Sequence, residues 1–403
     1  MPVKRAFRRE SWIIFPYIWM IFSKLLINCS NIVSSFTSNQ NCPTMKKQHT
    51  LILLVLFIFV PEITNADTFS FRHYKAEDGL TSNTVSCIIQ DRNGFIWIGT
   101  EGCLNRFDGH TFKEFSNTKE GKVTLWSSYI TSLLEVKNGD IWIGADDGIY
   151  IYHPRTEEIV RFRVKADNVG ITSYIYNMVE DASGNVWAAT YGQGVFRYHS
   201  KTNKLEQYRI IVNGTSSKTY DNVNFVYVDH SNQVWVAPKA PMNSLITFDR
   251  TKNCFHDFEF KGSKDIIVYR IFEDSKQNLW LGTWDKGICL LDKQKKNITK
   301  YLSPEGGGGI LHIHEISEFK PNVLLIGSDD GLSLFNTLTG SQQLFTSSEI
   351  DPLSLSDKFV YPILKDQEGG IWIGTYFGGI NYISPNSGLF ERYTHSRYVN
   401  SIN

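Results

Sequence analysis

Seven positions in this 403-residue chain carry side chains suited to holding a polar ring-shaped molecule. They are Glu101, Asp146, Tyr191, Lys239, Trp284, Asp329 and Tyr376, and they recur at intervals of 45, 45, 48, 45, 45 and 47 residues. Flat aromatic faces stack on the apolar faces of a sugar ring, while carboxylates, amides and lysines take its hydroxyls. Beside them Asp147, Gln193, Asp285, Lys286, Asp330 and Phe377 extend the same chemistry. A second set, Tyr176, Asn177, Asn224, Tyr269, Arg270, His314, Glu315 and Tyr361, recurs at the same period about fifteen residues earlier, and Trp126 adds an aromatic from a connecting segment.

Two other chemistries can be weighed on the same residues. Hydrolysis of a glycosidic bond needs two carboxyls about 5 to 9.5 Å apart; Asp146 and Asp329 are possible partners, but acidic residues scattered over different repeats carry no sign of pairing. His312 and His314 share one strand face, as alternate residues of a strand do. No third ligand is placed by sequence, so no metal and no cofactor is expected.

The elements that must position these residues are repeats. Each of the seven variable positions stands four residues after an anchor: Trp97, Trp142, Trp187, Trp235, Trp280, Leu325 and Trp372, in phrases such as FIWIGT, DIWIGA, NVWAAT, QVWVAP, NLWLGT, VLLIGS and GIWIGT. A steady period of this length, made of short β-branched and aromatic runs between turn residues, is the signature of a β-propeller with one four-stranded antiparallel blade per repeat. The chain is therefore expected to be an all-β, seven-bladed propeller. Twelve residues before each anchor stands Val85, Ile130, Ile175, Val223, Val268, Ile313 or Val360, β-branched in every copy as a crowded innermost strand requires. Six residues before it, Asp91, Asp181, Asp229, Asp274 and Asp366 mark a hairpin turn whose backbone they bond, with Val136 and Phe319 as exceptions. In such a blade the second-to-third loop and the crossover to the next blade emerge on one face, so the variable residues gather around one central mouth.

Outer strands number one more than the blades need. Phe69–Lys75 precedes the first repeat and Leu389–His395 ends the last. The N-terminal one is expected to close the ring by pairing with the third strand of the last blade, over residues 379–384, which removes an open edge.

A formal net charge of zero and 42% hydrophobic residues exclude a disordered or polybasic chain, and nothing points to nucleic acid. Four of the six cysteines, Cys87, Cys103, Cys254 and Cys289, follow the signal peptide; they lie at unrelated places in the repeat without CxxC spacing and read as small buried hydrophobes. From Met45 the chain reads as a secretory signal peptide: Lys46 and Lys47, an apolar run from Leu51 to Val60, and small residues before Asp67. The expected organisation is 1–44 as an upstream extension outside the mature protein, 45–66 as signal peptide, 67–395 as the propeller, and 396–403 as a linker or the start of a further repeat in a truncated or longer product.

The stretch Asp78–Phe115, DGLTSNTVSCIIQDRNGFIWIGTEGCLNRFDGHTFKEF, resembles the repeat of the two-component regulator propeller family, and the other six copies are similar to it over residues 130–390. Members of that family are periplasmic sensor regions of hybrid two-component systems in glycan-foraging bacteria. The resemblance implies tandem propellers, an immunoglobulin-like domain, one membrane helix and then histidine kinase, receiver and DNA-binding parts, of which only the first propeller is present. Kinase phosphoacceptor, nucleotide-binding and DNA-binding motifs are absent from the sequence. The expectation is an extracytoplasmic, periplasmic sensor that is not itself an enzyme. It would bind an oligosaccharide or polysaccharide fragment, or support the sensor's homodimer and its downstream domains. The alternatives are a secreted propeller enzyme, lyase or glycoside hydrolase, and a protein-interaction scaffold without a small ligand.

Overall fold

The computed structural model describes residues 69–115, 125, 127–164, 170–212, 215–216, 221–239, 245–261, 266–303 and 309–385. The signal peptide and upstream extension, the outer strand Leu389–His395, the tail 396–403 and Trp126 lie outside the described residues.

Seven four-stranded antiparallel sheets follow one another along the chain, as the seven anchors require. Blade 1 shows the pattern: Val85–Gln90, Ile96–Thr100, Leu104–Phe107 and Phe112–Phe115 pair in chain order. The first strands of neighbouring blades touch all the way round, including Val85–Gln90 of blade 1 against Val360–Lys365 of blade 7, so they form the inner wall of a closed ring. Blade 7 completes its sheet with the N-terminal strand Arg72–Tyr74, which pairs with Ile380–Ile383 in the register Arg72↔Tyr382 and Tyr74↔Ile380. Three residues of the expected Phe69–Lys75 run form ladder; the others leave it at either end. The outer strands of blades 4 and 5 are Cys254–Phe258 and Asn297–Tyr301.

The anchor strands are buried throughout, and each anchor packs into the seam with the next blade. Trp97 joins Ile130, Leu133 and Ile143 of blade 2, and Trp280 joins Ile313, Ile316 and Leu324 of blade 6. Trp372 joins Val85, Ile88 and Ile96 of blade 1. The small residue two places on makes room for the next blade's innermost side chain. A Cβ on Gly282 would stand 2.7 Å from Ile313 Cγ2, and one on Gly374 would stand 2.6 Å from Val85 Cγ1. In blades 3 and 4 the slot holds a fully buried Ala189 or Ala237.

The turn aspartates do more than the sequence announces. Asp91 Oδ1 accepts the backbone N–H of Asn93 and Phe95, as expected, while Oδ2 accepts the indole N–H of Trp97 at 2.8 Å. The same indole bond recurs at Asp181, Asp229, Asp274 and Asp366. The repeat whose anchor is Leu325, which has no N–H to offer, carries Phe319 in the aspartate slot.

Beside these hairpins a second belt links the blades. The backbone N–H after the turn aspartate, or after its substitute, bonds a side chain of the next blade: Arg92 to Glu135, Lys137 to Glu180, His230 to Glu273, Ser275 to Glu318 and Gln367 to Gln90. The last of these crosses the closure from blade 7 to blade 1. Where the partner slot holds Val228, Asn232 substitutes for it and accepts from Ala182 N.

Candidate ligand-binding site

In five of the seven blades the residue before the variable one ties the loop to its own blade. The hydroxyl of Thr100, Thr190, Thr283, Ser328 or Thr375 donates to a carbonyl at the start of the third strand. The variable residue's own N–H then bonds the crossover into the same blade, Tyr191 to Tyr174 O at 3.0 Å, Lys239 to Asn222 O at 2.8 Å, Trp284 to Ile267 O at 3.0 Å and Tyr376 to Phe359 O at 3.1 Å. Glu101 bonds Thr84 O in the same way at 3.2 Å. Loop and crossover therefore share one face, as the antiparallel topology demands.

The innermost strands aim the second set. Six of them carry a register shift next to the residue eleven before the anchor, for example between Val85 and Cys87 and between Val268 and Arg270. An irregularity of this kind turns a side chain away from the ladder. In blades 1 and 2 the residue is small, and Ser86 and Thr131 close the seam by donating to Ile130 O and Ile175 O. From blade 3 onward it is Tyr176, Asn224, Tyr269, His314 and Tyr361.

These residues meet in two connected groups. In the first, Lys239 Nζ donates to the Tyr176 hydroxyl at 3.2 Å and lies 5.6 Å and 5.9 Å from the rings of Tyr176 and Tyr191. Tyr176 contacts Tyr174 at 4.9 Å, which contacts Tyr129 at 5.9 Å. In the second, Trp284 contacts Tyr269 at 5.0 Å and covers the His312 ring at 3.7 Å. His314 stacks on Tyr361 at 4.1 Å and 10°, and Tyr361 leads to Tyr376 and Phe377. Both histidines meet one carboxylate: His314 Nε2 is 2.7 Å from Asp329 Oδ1, and His312 Nδ1 bonds Oδ2. Tyr269 feels the charge of Lys239, so the two groups adjoin.

The remaining expected residues are more dispersed. Arg270 stands 3.7 Å from Glu315 and lies over the Phe225 ring. Asp146 is exposed and accepts from Ser127 Oγ at 2.6 Å, while Asp329 is engaged by the histidines, so these two carboxylates have separate partners on blades 2 and 6. Asp285 approaches Lys286 at 3.9 Å, and Phe377 is the most exposed aromatic of the set at 65%. No group of three or more metal-ligating side chains is disposed to hold a metal ion among the described residues.

The electrostatics keep the tyrosines neutral. Burial pushes the Tyr129, Tyr174, Tyr269 and Tyr361 hydroxyls above the usual tyrosine range, Tyr361 to about 12, so each remains a donor at physiological pH. Burial also lowers His314, and Arg270 and His312 add to this, although Asp329 pulls the other way. Asp329 lies below the usual carboxylate range because the bonds and charge of the two histidines outweigh its burial.

Tyr129 and Tyr174 are site residues that the sequence reading passed over. They stand thirteen residues before their anchors, in a slot that also holds His312 and Phe359, and that recurrence of rings is the signal that could have found them. The cysteines match their expected burial at Cys103 and Cys289, and Cys87 is partly buried. Cys254 does not match: it opens an outer edge strand and is exposed. All four thiols are free. A groove of about 640 Å³, lined by Arg92, Asn138, Asp140, His153 and Arg155, lies at the hairpin face of blades 1 and 2, away from the mouth.

Comparison with known proteins falls into two kinds. The sequence profile of the family described as Two component regulator propeller matches residues 79–102, 124–147, 170–192, 262–285 and 354–377. A curated relative, Histidine kinase P4 of Formosa agariphila, is 35% identical over 74 residues, which is 18% of this chain and 5% of that protein. Among solved structures, the extracellular domain assigned to hybrid two-component system BT3049 of B. thetaiotaomicron superposes with a TM-score of 0.67 at 22% identity, covering 79% of this chain and 42% of that one. The corresponding domain of BT4673 from the same organism gives 0.65 at 20% identity, covering 78% and 40%. Virginiamycin B lyase from Staphylococcus aureus gives 0.58 at 14% identity, covering 79% and 99%. At these identities the structures share the fold alone. This chain spans less than half the length of the sensor domains it matches and a small part of the kinase.

Proposed function

We propose that this chain, a seven-bladed propeller built on the two-component regulator repeat, is the ligand-sensing extracytoplasmic propeller of a hybrid two-component sensor, and that its central mouth binds an oligosaccharide. The signal peptide at 45–66 delivers the propeller, 67–395, to the periplasm, and downstream sensor domains pair it in a homodimer and carry the signal inward.

One observation carries the reading. Around a nearly invariant framework, varying slots four residues after each anchor and eleven and ten before it supply Tyr176, Tyr191, Tyr269, Trp284, Tyr361 and Tyr376 beside Lys239, Arg270 and Asp329. Aromatic faces with interleaved polar groups suit a sugar. Calorimetry of the full chain against a panel of glycan fragments tests this, with the mixture analysed afterwards for cleavage. Binding without new products supports the sensor; product release replaces it with a propeller enzyme; silence across the panel from the folded chain favours a scaffold.

A further inference from the structure

The mouth is uneven in charge. Lys239 is half-buried where blades 3, 4 and 5 meet, walled by Tyr176, Tyr191 and Tyr269. Among the described residues its ammonium has no carboxylate within ion-pair distance; its recorded hydrogen bond goes to a tyrosine hydroxyl. Other cations that reach a neighbouring blade have oxygen partners there, carboxylates for Arg92, Arg250 and Lys293 and carbonyl or amide oxygens for Lys137, Lys276 and Lys365, whereas Lys239 has only a tyrosine hydroxyl. Burial lowers Lys239, but the bond to the Tyr176 hydroxyl and the neighbouring tyrosines outweigh it, so the ammonium stays charged and open to an anion.

Other donors of the same sector are also unmatched. Arg270 Nε has no hydrogen-bond partner, and Glu315 stands 3.7 Å from it, too far to accept. The side chain of Asn224, 97% buried between Tyr176 and Tyr269 in ring order, has its Nδ2 without an acceptor. The nearby carboxylates are already engaged: Asp221 takes Arg209 at 2.6 Å, Asp285 lies 3.9 Å from Lys286, and Glu315 of blade 6 faces Arg270, which leaves Lys239 and the Asn224 amide N–H unmatched. The opposite sector is arranged differently, since there Asp329 is already bonded by His312 and His314.

We propose that the blade 3 to 5 sector is an anion subsite for an acidic sugar, with the carboxylate of a uronate residue or a sulfate ester pairing with Lys239 while the ring of that residue lies against Tyr176, Tyr191 or Tyr269. This rests on the reading of the mouth as an oligosaccharide site and narrows it to a class. Lys239, whose backbone N–H is fixed to Asn222 O, is the charge that selects; Arg270, one layer deeper, reinforces the field. The tyrosine wall lowers the local dielectric and strengthens the pairing.

The test is calorimetric titration of the full chain with three tetramers of matched length: an oligogalacturonate, a sulfated galactose oligomer and a neutral galactose oligomer. An acidic tetramer is expected to bind at least about tenfold more tightly than the neutral one, with the advantage shrinking as salt rises. The oligogalacturonate and the sulfated oligomer separate a carboxylate subsite from a sulfate one. Lys239→Met should abolish the advantage and Lys239→Arg should keep most of it. Lys252→Gln, which removes an exposed charge on a turn of the hairpin face, should change nothing. Equal binding of acidic and neutral tetramers, indifferent to Lys239→Met, overturns the anion subsite and leaves the oligosaccharide reading standing. No binding of any of the three by a chain that melts normally overturns both. Should Lys239→Met fail to fold, Tyr176→Phe, which removes only the hydroxyl on Nζ, serves in its place and is expected to alter acidic binding while sparing neutral binding.

Discussion

The indole N–H of Trp280 donates to Asp274 Oδ2 at 2.9 Å, and the other oxygen of that carboxylate accepts the backbone N–H groups of Lys276 and Asn278, each at 2.9 Å. One buried side chain therefore closes a hairpin and holds the ring that fills the seam to the next blade. The Asn278 amide also donates to Oδ2, so removal of the carboxylate frees four donors at once. Asp274→Ala is expected to destabilise the chain by about 2 to 4 kcal/mol, and Asp274→Asn by less, because an amide oxygen still accepts. Denaturant titration measures this; a loss under about 0.5 kcal/mol, the size of an ordinary surface substitution, would refute the role.

Acid should unfold the ring through the same aspartates. Burial pushes Asp181 and Asp229 upward, but bonds from Asn185 and Trp187 with the charge of Arg250, and from Ser231, Trp235 and Gln233 with Lys293, hold both below their ordinary value of 3.8. A carboxylate depressed in the folded chain stabilises it fully above that value and stops doing so as pH falls through the folded value. Stability measured from pH 5 downward should decline, and Asp181→Asn should flatten the slope. Parallel curves for the two proteins would contradict this.

His314 works in the opposite region of the pH scale. Burial lowers it from 6.5, so the unfolded chain takes up a proton first. Its contribution is complete above 6.5 and shrinks as pH falls below it. Because Asp329 raises His314 against this trend, Asp329→Asn should make the imidazole titrate at still lower pH. Ring-proton resonances followed by NMR report the value, and an upward movement would exclude the contact.

At the seams, volume is reciprocal between neighbouring blades. Gly282→Ala places a Cβ 2.7 Å from Ile313 Cγ2 and is expected to cost about 1 to 3 kcal/mol. The same change in an Ile313→Ala background should cost less, a coupling that a double-mutant cycle reads directly. Additive losses would place the strain elsewhere.

For the mouth, Trp284→Ala and Tyr376→Ala should each weaken glycan binding about ten- to a hundredfold. Trp284 is 37% exposed, so its removal should lower stability by no more than about 1 kcal/mol. Unchanged affinity in both variants would discard this face as the binding surface.

The ring architecture was legible because the repeat is dense in obligatory features. A tryptophan, a small residue two places on and a β-branched residue twelve places before locate three strands per blade with little freedom left. The closing strand was legible too, since an unpaired outer strand at one end answers an open edge at the other. What escaped was side-chain bonding across elements. Asp91 and Trp97 read separately as turn former and filler, and only the fold brings oxygen and indole together. Tyr129 and Tyr174 escaped because their slot holds Thr84, Asn222 and Ile267 in other blades, a mixture that looks like crossover. The interval of 48 before Trp235 hid a small hairpin, Ile211–Val212 with Thr215–Ser216, whose strands are too short to show a pattern.

Closure by Arg72–Tyr74 also sets an order in time. This segment leaves the ribosome before any blade does, yet its partner Ile380–Ile383 is translated some 310 residues later by the register Arg72↔Tyr382. At about 5 to 20 residues per second, that is roughly a quarter-minute to a minute of waiting. Throughout, a strand with open edges and the aromatic neighbours Phe71 and Tyr74 must stay unspent while six blades assemble behind it. The ring is thus sealed by its oldest piece, and the final blade remains a three-stranded fragment until that piece returns.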